Sequence, residues 1–180
     1  MSGSVFYDVG VLDQLAVNLF YGWGYNFYRL ENQLRADDLL VRERVGWLLG
    51  QSRAIIESAQ STYRRTFLPP PSRARPLPDP GSIEAARNLE NLSARIGELE
   101  GVIRALPVPE NDRMTQRYRL EAQTLVALGA CDTRMAGLAE ALRQTLDGRD
   151  ADWILANQAE LRDALGLLGA AVQQRQGLLK

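Results

Sequence analysis

The chain reads as an all-α protein: an antiparallel helical bundle of about four helices, with a long first helix and a proline-rich crossover. Three observations predict this. Apolar residues recur at steps of three and four over most of the 180 positions, the spacing of a helix with one buried stripe. No stretch of useful length alternates as a strand would. Six of the eight prolines fall within residues 68–81, dividing a first helical region from the rest. The expected organisation is one domain, 1–180: residues 1–67 an aromatic-rich helix, 68–81 the connector, and 82–180 three further helices.

The first helix is expected from near Asp8 to about Arg65. Its stripe is Leu12, Ala16, Leu19, Trp23, Phe27, Leu30, Leu34, Val41, Val45, Leu48, Ile56, Ala59 and Tyr63, all within about 55° of one direction at 100° per residue. Trp47 lies on the other side. Gly22, Gly24, Gly46 and Gly50 each weaken a helix by roughly 1 kcal/mol relative to alanine. The stripe nevertheless keeps its phase across Gly22 and Gly24, which argues for continuity. Such a helix would be about 80 Å long, against about 55 Å or less for the others. Either it breaks near a glycine, or one end overhangs and needs cover.

The connector, Leu68 to Gly81, is extended with polyproline II character. Ser82 is the expected N-cap of the second helix. Its seam is Leu89, Leu92, Ile96, Leu99, Ile103 and Leu106, ended by Pro107 and Pro109. The third helix should start near Asn111 or Asp112 and carry Met114, Tyr118, Glu121, Leu125, Leu128, Asp132, Met135, Ala139, Leu142 and Leu146 on its seam. Asp147-Gly148 is a stop signal and Asp150 an N-cap. The last helix continues through Ile154, Gln158, Leu161, Leu165, Leu168, Val172, Arg175 and Leu179.

Composition narrows the chemistry. The formal charge is −1, and Lys180 is the only lysine among 21 basic residues, so no global field steers the chain to nucleic acid. The chain has no histidine, which removes the commonest general base and metal ligand. Cys131 is the single cysteine, so intramolecular disulfides and cysteine zinc clusters are excluded. No glycine-rich phosphate loop is present, and Gly22-Trp23-Gly24 is not one. The expectation is a non-enzyme without catalytic residues, cofactor or metal. The run from Val9 to Tyr28 is interrupted by Asp13, Gln14, Asn18 and Asn26, against a membrane span. A cytoplasmic setting is expected, with no leader-like basic region before the first apolar residues.

Of three tryptophans, six tyrosines and four phenylalanines, eight lie between Phe6 and Tyr28. Phe20, Trp23 and Phe27 sit on the stripe, and Tyr21, Tyr25 and Tyr28 opposite it, so this part is apolar nearly all round. Such a helix needs cover on both faces. These six residues are therefore the expected partner-binding surface, either of a homodimer or for another protein, with Tyr21, Trp23, Tyr25 and Tyr28 as anchors. A core segment of the monomer is the competing reading.

Arg64, Arg65, Arg73 and Arg75, with Arg53, form a basic run opposed only by Glu57. It is a candidate phosphate contact for a nucleic-acid accessory protein. From Gly81 onward, 12 basic residues face 14 acidic ones, so nothing extends the patch, and a solvated loop is the plainer reading. The seam acids Glu121 and Asp132, with Asp37, Asp38 and Gln158, raise the alternative of a ligand- or metal-binding bundle. Pairing with Arg42, Arg44, Arg117 or Arg134 is the simpler expectation. Cys131 falls beside the seam, as a buried or bordering thiol.

Overall fold

The computed structural model describes residues 5–21, 31–73, 77–106 and 121–178, of which 5, 20, 21, 31–38, 121–123 and 125 are described by backbone only. After a 3-10 turn, Val5–Tyr7, come six helices: α1 (Val9–Tyr21), α2 (Glu31–Phe67), α3 (Pro80–Arg104), α4 (Glu121–Leu146), α5 (Ala151–Ala156) and α6 (Gln158–Gly177). No strand occurs among the described residues. The increase over four helices has two sources. The first stretch is two helices, and the last is divided at Asn157, whose φ of −107° and ψ of 18° leave helical geometry.

The continuous first helix is therefore corrected. α1 and α2 both pack on α4. The Leu12 carbonyl of α1 lies against Gly137, while Arg44 of α2 is in the field of Glu140, one turn further along α4. In one straight helix Leu12 and Arg44 would be about 48 Å apart. The chain must reverse between Tyr21 and Glu31.

Helix α4 is the hub, packing on α1, α2 and α6. Its expected seam residues Leu128, Asp132, Met135, Ala139, Leu142 and Leu146 are all buried, and so are Cys131, Ala136, Leu138, Glu140 and Ala141 around them. Helix α3 runs antiparallel to α2. Arg42 donates to the Leu106 carbonyl at one end of the pair, and Gln60 to the Ala86 carbonyl toward the other. The α3 seam is buried as expected at Leu89, Leu92, Ile96, Ile103 and Leu106. Burial of such side chains, at about 1.5–3 kcal/mol each, is what holds these faces together.

Helix ends follow local chemistry, with one correction. The cap of α3 is Asp79, not Ser82: Asp79 Oδ2 accepts from the Ser82 N–H at 2.8 Å and its hydroxyl at 3.0 Å. Pro80 thus takes the first helical position, where its missing N–H costs nothing. Asp150 caps α5, accepting from the Trp153 N–H at 2.9 Å. Gly148, with φ +67°, ends α4 in the left-handed region that glycine enters without penalty.

Candidate functional site: an open cleft on helix α2

On a helical wheel Val41, Val45, Leu48 and Ser52 share a sector of about 100° with Ile55, Ala59, Thr62, Tyr63 and Thr66. The first four are buried, on the face that α4 covers. Helix α4 stops at Leu146 beside Gln51 to Ile55, and the same face of α2 then runs on to Phe67, for about 18 Å, only partly covered, with Ile55, Ala59 and Tyr63 packed at the edge of the core. The result is a cleft of about 550 Å³ between the C-terminal half of α2 and the turn Gly148–Asp152.

Its floor is apolar. Ile55, Ala59 and Tyr63 are half-buried, Phe67 is 49% exposed, and the Tyr63 and Phe67 ring centroids lie 4.6 Å apart. Helix α3 holds the back of α2, about 130° round the wheel. There the Ser93 hydroxyl donates to Glu57 at 3.2 Å, and Arg64 meets Glu90 at 3.4 Å. The Arg53 guanidinium, donating to Glu57 at 2.7 Å, holds that carboxyl below its usual range. These bonds stiffen the wall and leave the cleft face clear.

The rim of the cleft is charged. Asp147, Asp150 and Asp152 are exposed on the turn. Arg149 is occupied locally, its guanidinium 4.6 Å over the Trp153 ring and its Nε donating to the Thr145 carbonyl. At the far end of α2, Arg65 is exposed and donates to the Thr62 hydroxyl at 3.2 Å. The cleft is acidic where α4 ends and basic where α2 ends.

The residues expected to bind partners or phosphates are distributed differently. Trp23, Tyr25, Phe27 and Tyr28 lie outside the described residues, as do the side chains of Phe20 and Tyr21 and all of Arg75. Arg64 and Arg65 sit on the last turn of α2, and Arg73 is exposed in the connector. Arg53 and Arg64 already engage carboxylates on this chain. Sequence reasoning missed Phe67, Ile55 and the whole Gly148–Asp152 wall as a site. The available signal was the mismatch in helix lengths, together with a stripe that continues through Ala59 and Tyr63.

Two buried polar clusters lie elsewhere. Asp132 pairs with Arg175 of α6, whose Nε donates at 2.8 Å; of the arginines expected to pair the seam acids, none is this partner. Both residues occupy seam positions, and the helical period alone turns each of them toward the core. Glu140, at 6% exposure, accepts from Arg143 and Gln144 at 2.8 Å each. Nearby Arg44 stacks 4.1 Å over Trp47, and burial pushes its pKa down. Glu121, Asp37 and Asp38 have side chains outside the described residues, while Gln158 donates to the Leu155 carbonyl. Among the described residues no three acidic or sulfur ligands come together as a metal site. Also among them, no helix is long and apolar enough to cross a membrane.

Cys131 is buried. Burial first, and then the neighbouring Asp132 charge, raise its thiol pKa against the opposing pull of Arg175 and Arg134. A raised folded-state pKa favours the protonated form, so the thiol contributes stability below the ordinary thiol range, about 8.5. That contribution is lost as pH rises through the folded value. The expected outcome is native-state maleimide labelling at least about tenfold slower than in denaturant at pH 8, since only the thiolate reacts. Equal rates would contradict this environment.

No protein-family model, curated protein or solved structure matches this chain.

Proposed function

We propose that this chain is a non-enzymatic helical interaction module that receives an apolar helical face of a protein in the α2 cleft. The observation that supports it is the unbroken stripe on α2, buried as far as Ser52 and continued by the half-buried Ile55, Ala59 and Tyr63 and the half-exposed Phe67 on the floor of the cleft. Exposed contiguous apolar surface with a polar rim is the ordinary form of a protein-binding groove. Ile55, Ala59 and Tyr63 recur at i, i+4 and i+8 along one face of α2, a floor on which the apolar face of an incoming helix can lie. The aromatic segment Phe20 to Tyr28 is proposed as a second contact surface of the same module, on its two-sided apolarity.

Binding of bis-ANS tests the cleft. Saturable fluorescence enhancement is expected with the wild-type chain, because the dye needs an open apolar slot. Ala59→Arg places a charged side chain on the floor and should abolish the enhancement while melting stays unchanged, since Ala59 is only half-buried. Equal enhancement in the two proteins would remove the cleft from the proposal.

A further inference from the structure

We infer that the occupant of the α2 cleft is a second copy of this chain, seated antiparallel about a twofold axis near Ser61. The inference rests on the interaction-module reading above and gives that module its partner. Two independent features of the cleft point to it.

The first is shape. A twofold axis at that level sets residues whose numbers sum to 122 opposite one another. Tyr63 of one copy then falls on Ala59 of its partner, and Phe67 falls on Ile55. Each large ring meets a smaller or aliphatic side chain, twice over, because a twofold interface repeats every contact.

The second is charge. The antiparallel arrangement brings the tip of α2 and its connector, with Arg65 and Arg73 exposed, onto the partner copy's turn. That turn carries three exposed carboxylates, Asp147, Asp150 and Asp152, against one exposed cation, Arg149; Asp147 lies 4.0 Å from Arg143, Asp150 caps α5 and Arg149 is engaged on Thr145 and Trp153, so the turn stays net acidic. A parallel arrangement would set tip against tip and turn against turn, like charge on like. Complementary charge of this kind selects orientation and register more than it adds affinity.

Sedimentation velocity on the full chain across the micromolar to millimolar range tests the inference. The wild-type chain should pass from monomer to dimer, and Ala59→Arg should stay monomeric. A tip-reversed variant (Arg65→Glu with Arg73→Glu) and a turn-reversed variant (Asp147→Arg with Asp152→Arg) should each dimerise about tenfold more weakly, as two exposed charge contacts per interface imply. An equimolar mixture of the two variants should recover association, because in the mixed pair both tip–turn contacts are again complementary. All four positions are exposed and Asp150 is left in place as the α5 cap, so unchanged melting serves as the folding control. A wild-type chain that stays monomeric while bis-ANS binding is lost in Ala59→Arg would overturn the second copy as occupant and leave the module standing. A dimer unaffected by all of these variants would place self-association on another surface and likewise overturn the inference. Loss of neither dye binding nor dimerisation in Ala59→Arg would take both readings down together.

Discussion

Replacing Asp132 by alanine is expected to destabilise the fold by about 3–5 kcal/mol, as removal of one partner from a buried ion pair does. Arg175 is fully buried and donates to Asp132 at 2.8 Å. Without that carboxylate the guanidinium charge stays in the interior and its Nε no longer has this acceptor. Arg175→Met should cost a similar amount, because it leaves the carboxylate behind. The double variant Asp132→Leu/Arg175→Met should come close to the wild type, or exceed it, because two desolvated charges are replaced by apolar volume. Urea unfolding of the wild type, Asp132→Leu, Arg175→Met and the double variant measures this as a coupling energy. Costs of the single substitutions that simply add would show that the two side chains are energetically independent. With total stabilities of about 5–15 kcal/mol, either single change removes a large share of the whole. Position 132 joins α4 to α6 across 43 residues of chain.

Gly137→Ala is the second large effect, and its sign runs against helix propensity. A Cβ at Gly137 would clash with the Leu12 carbonyl oxygen and lie 2.9 Å from its carbon. Both are backbone atoms, which have no rotamer to escape into, so α1 as a whole must move. Overpacking of this kind costs about 1–3 kcal/mol, or a Tm lower by about 4–8 °C for a loss near 2 kcal/mol in a chain of this size. Amide exchange should accelerate over residues 5–19, as Phe6, Leu12 and Ala16 leave the core they now occupy. Gly166→Ala is the internal comparison: it is helical and exposed, with nothing within 4 Å of the added atom. That substitution should stabilise by about 0.5–1 kcal/mol. A stable Gly137→Ala protein with unaltered exchange in α1 would refute the close approach.

Both effects arise where helices meet, and residue patterns say least about such places. The stripe through Val41, Val45, Leu48 and Ile56, the α3 seam apart from the half-buried Leu99, and the α4 seam from Leu128 to Leu146 are buried, because a 3.6-residue period gathers a helix's apolar residues on one face without reference to its neighbours. The stop at Gly148 and the cap at Asp150 are equally legible, being interactions within a few residues. Asp79 displaces Ser82 as the α3 cap because Pro80, which composition groups with the connector, is compatible with the first position of a helix.

The candidate site is legible only in part. Ala59 and Tyr63 stand on the stripe, and the mismatch in helix lengths is apparent from the residues. The partly covered end is the C-terminal half of α2, because α4 runs parallel to it and ends at Leu146, level with Gln51 to Ile55. Phase continuity across Gly22 and Gly24 cannot reveal the reversal between α1 and α2, since apolar residues keep the same spacing whether a helix continues or two helices face one core.

The residues by themselves thus determined that the chain is helical, which positions turn inward, and how the ends of α4 and α5 are capped. All of these depend on periodicity and on hydrogen bonds within one or two turns. Only the tertiary structure decided that α4 is the hub, that Asp132 meets Arg175, that Gly137 admits α1, and that the α2 stripe outlasts its cover. Those outcomes depend on how separate helices are placed and where each one ends, and a local pattern holds no information on the distance between two elements.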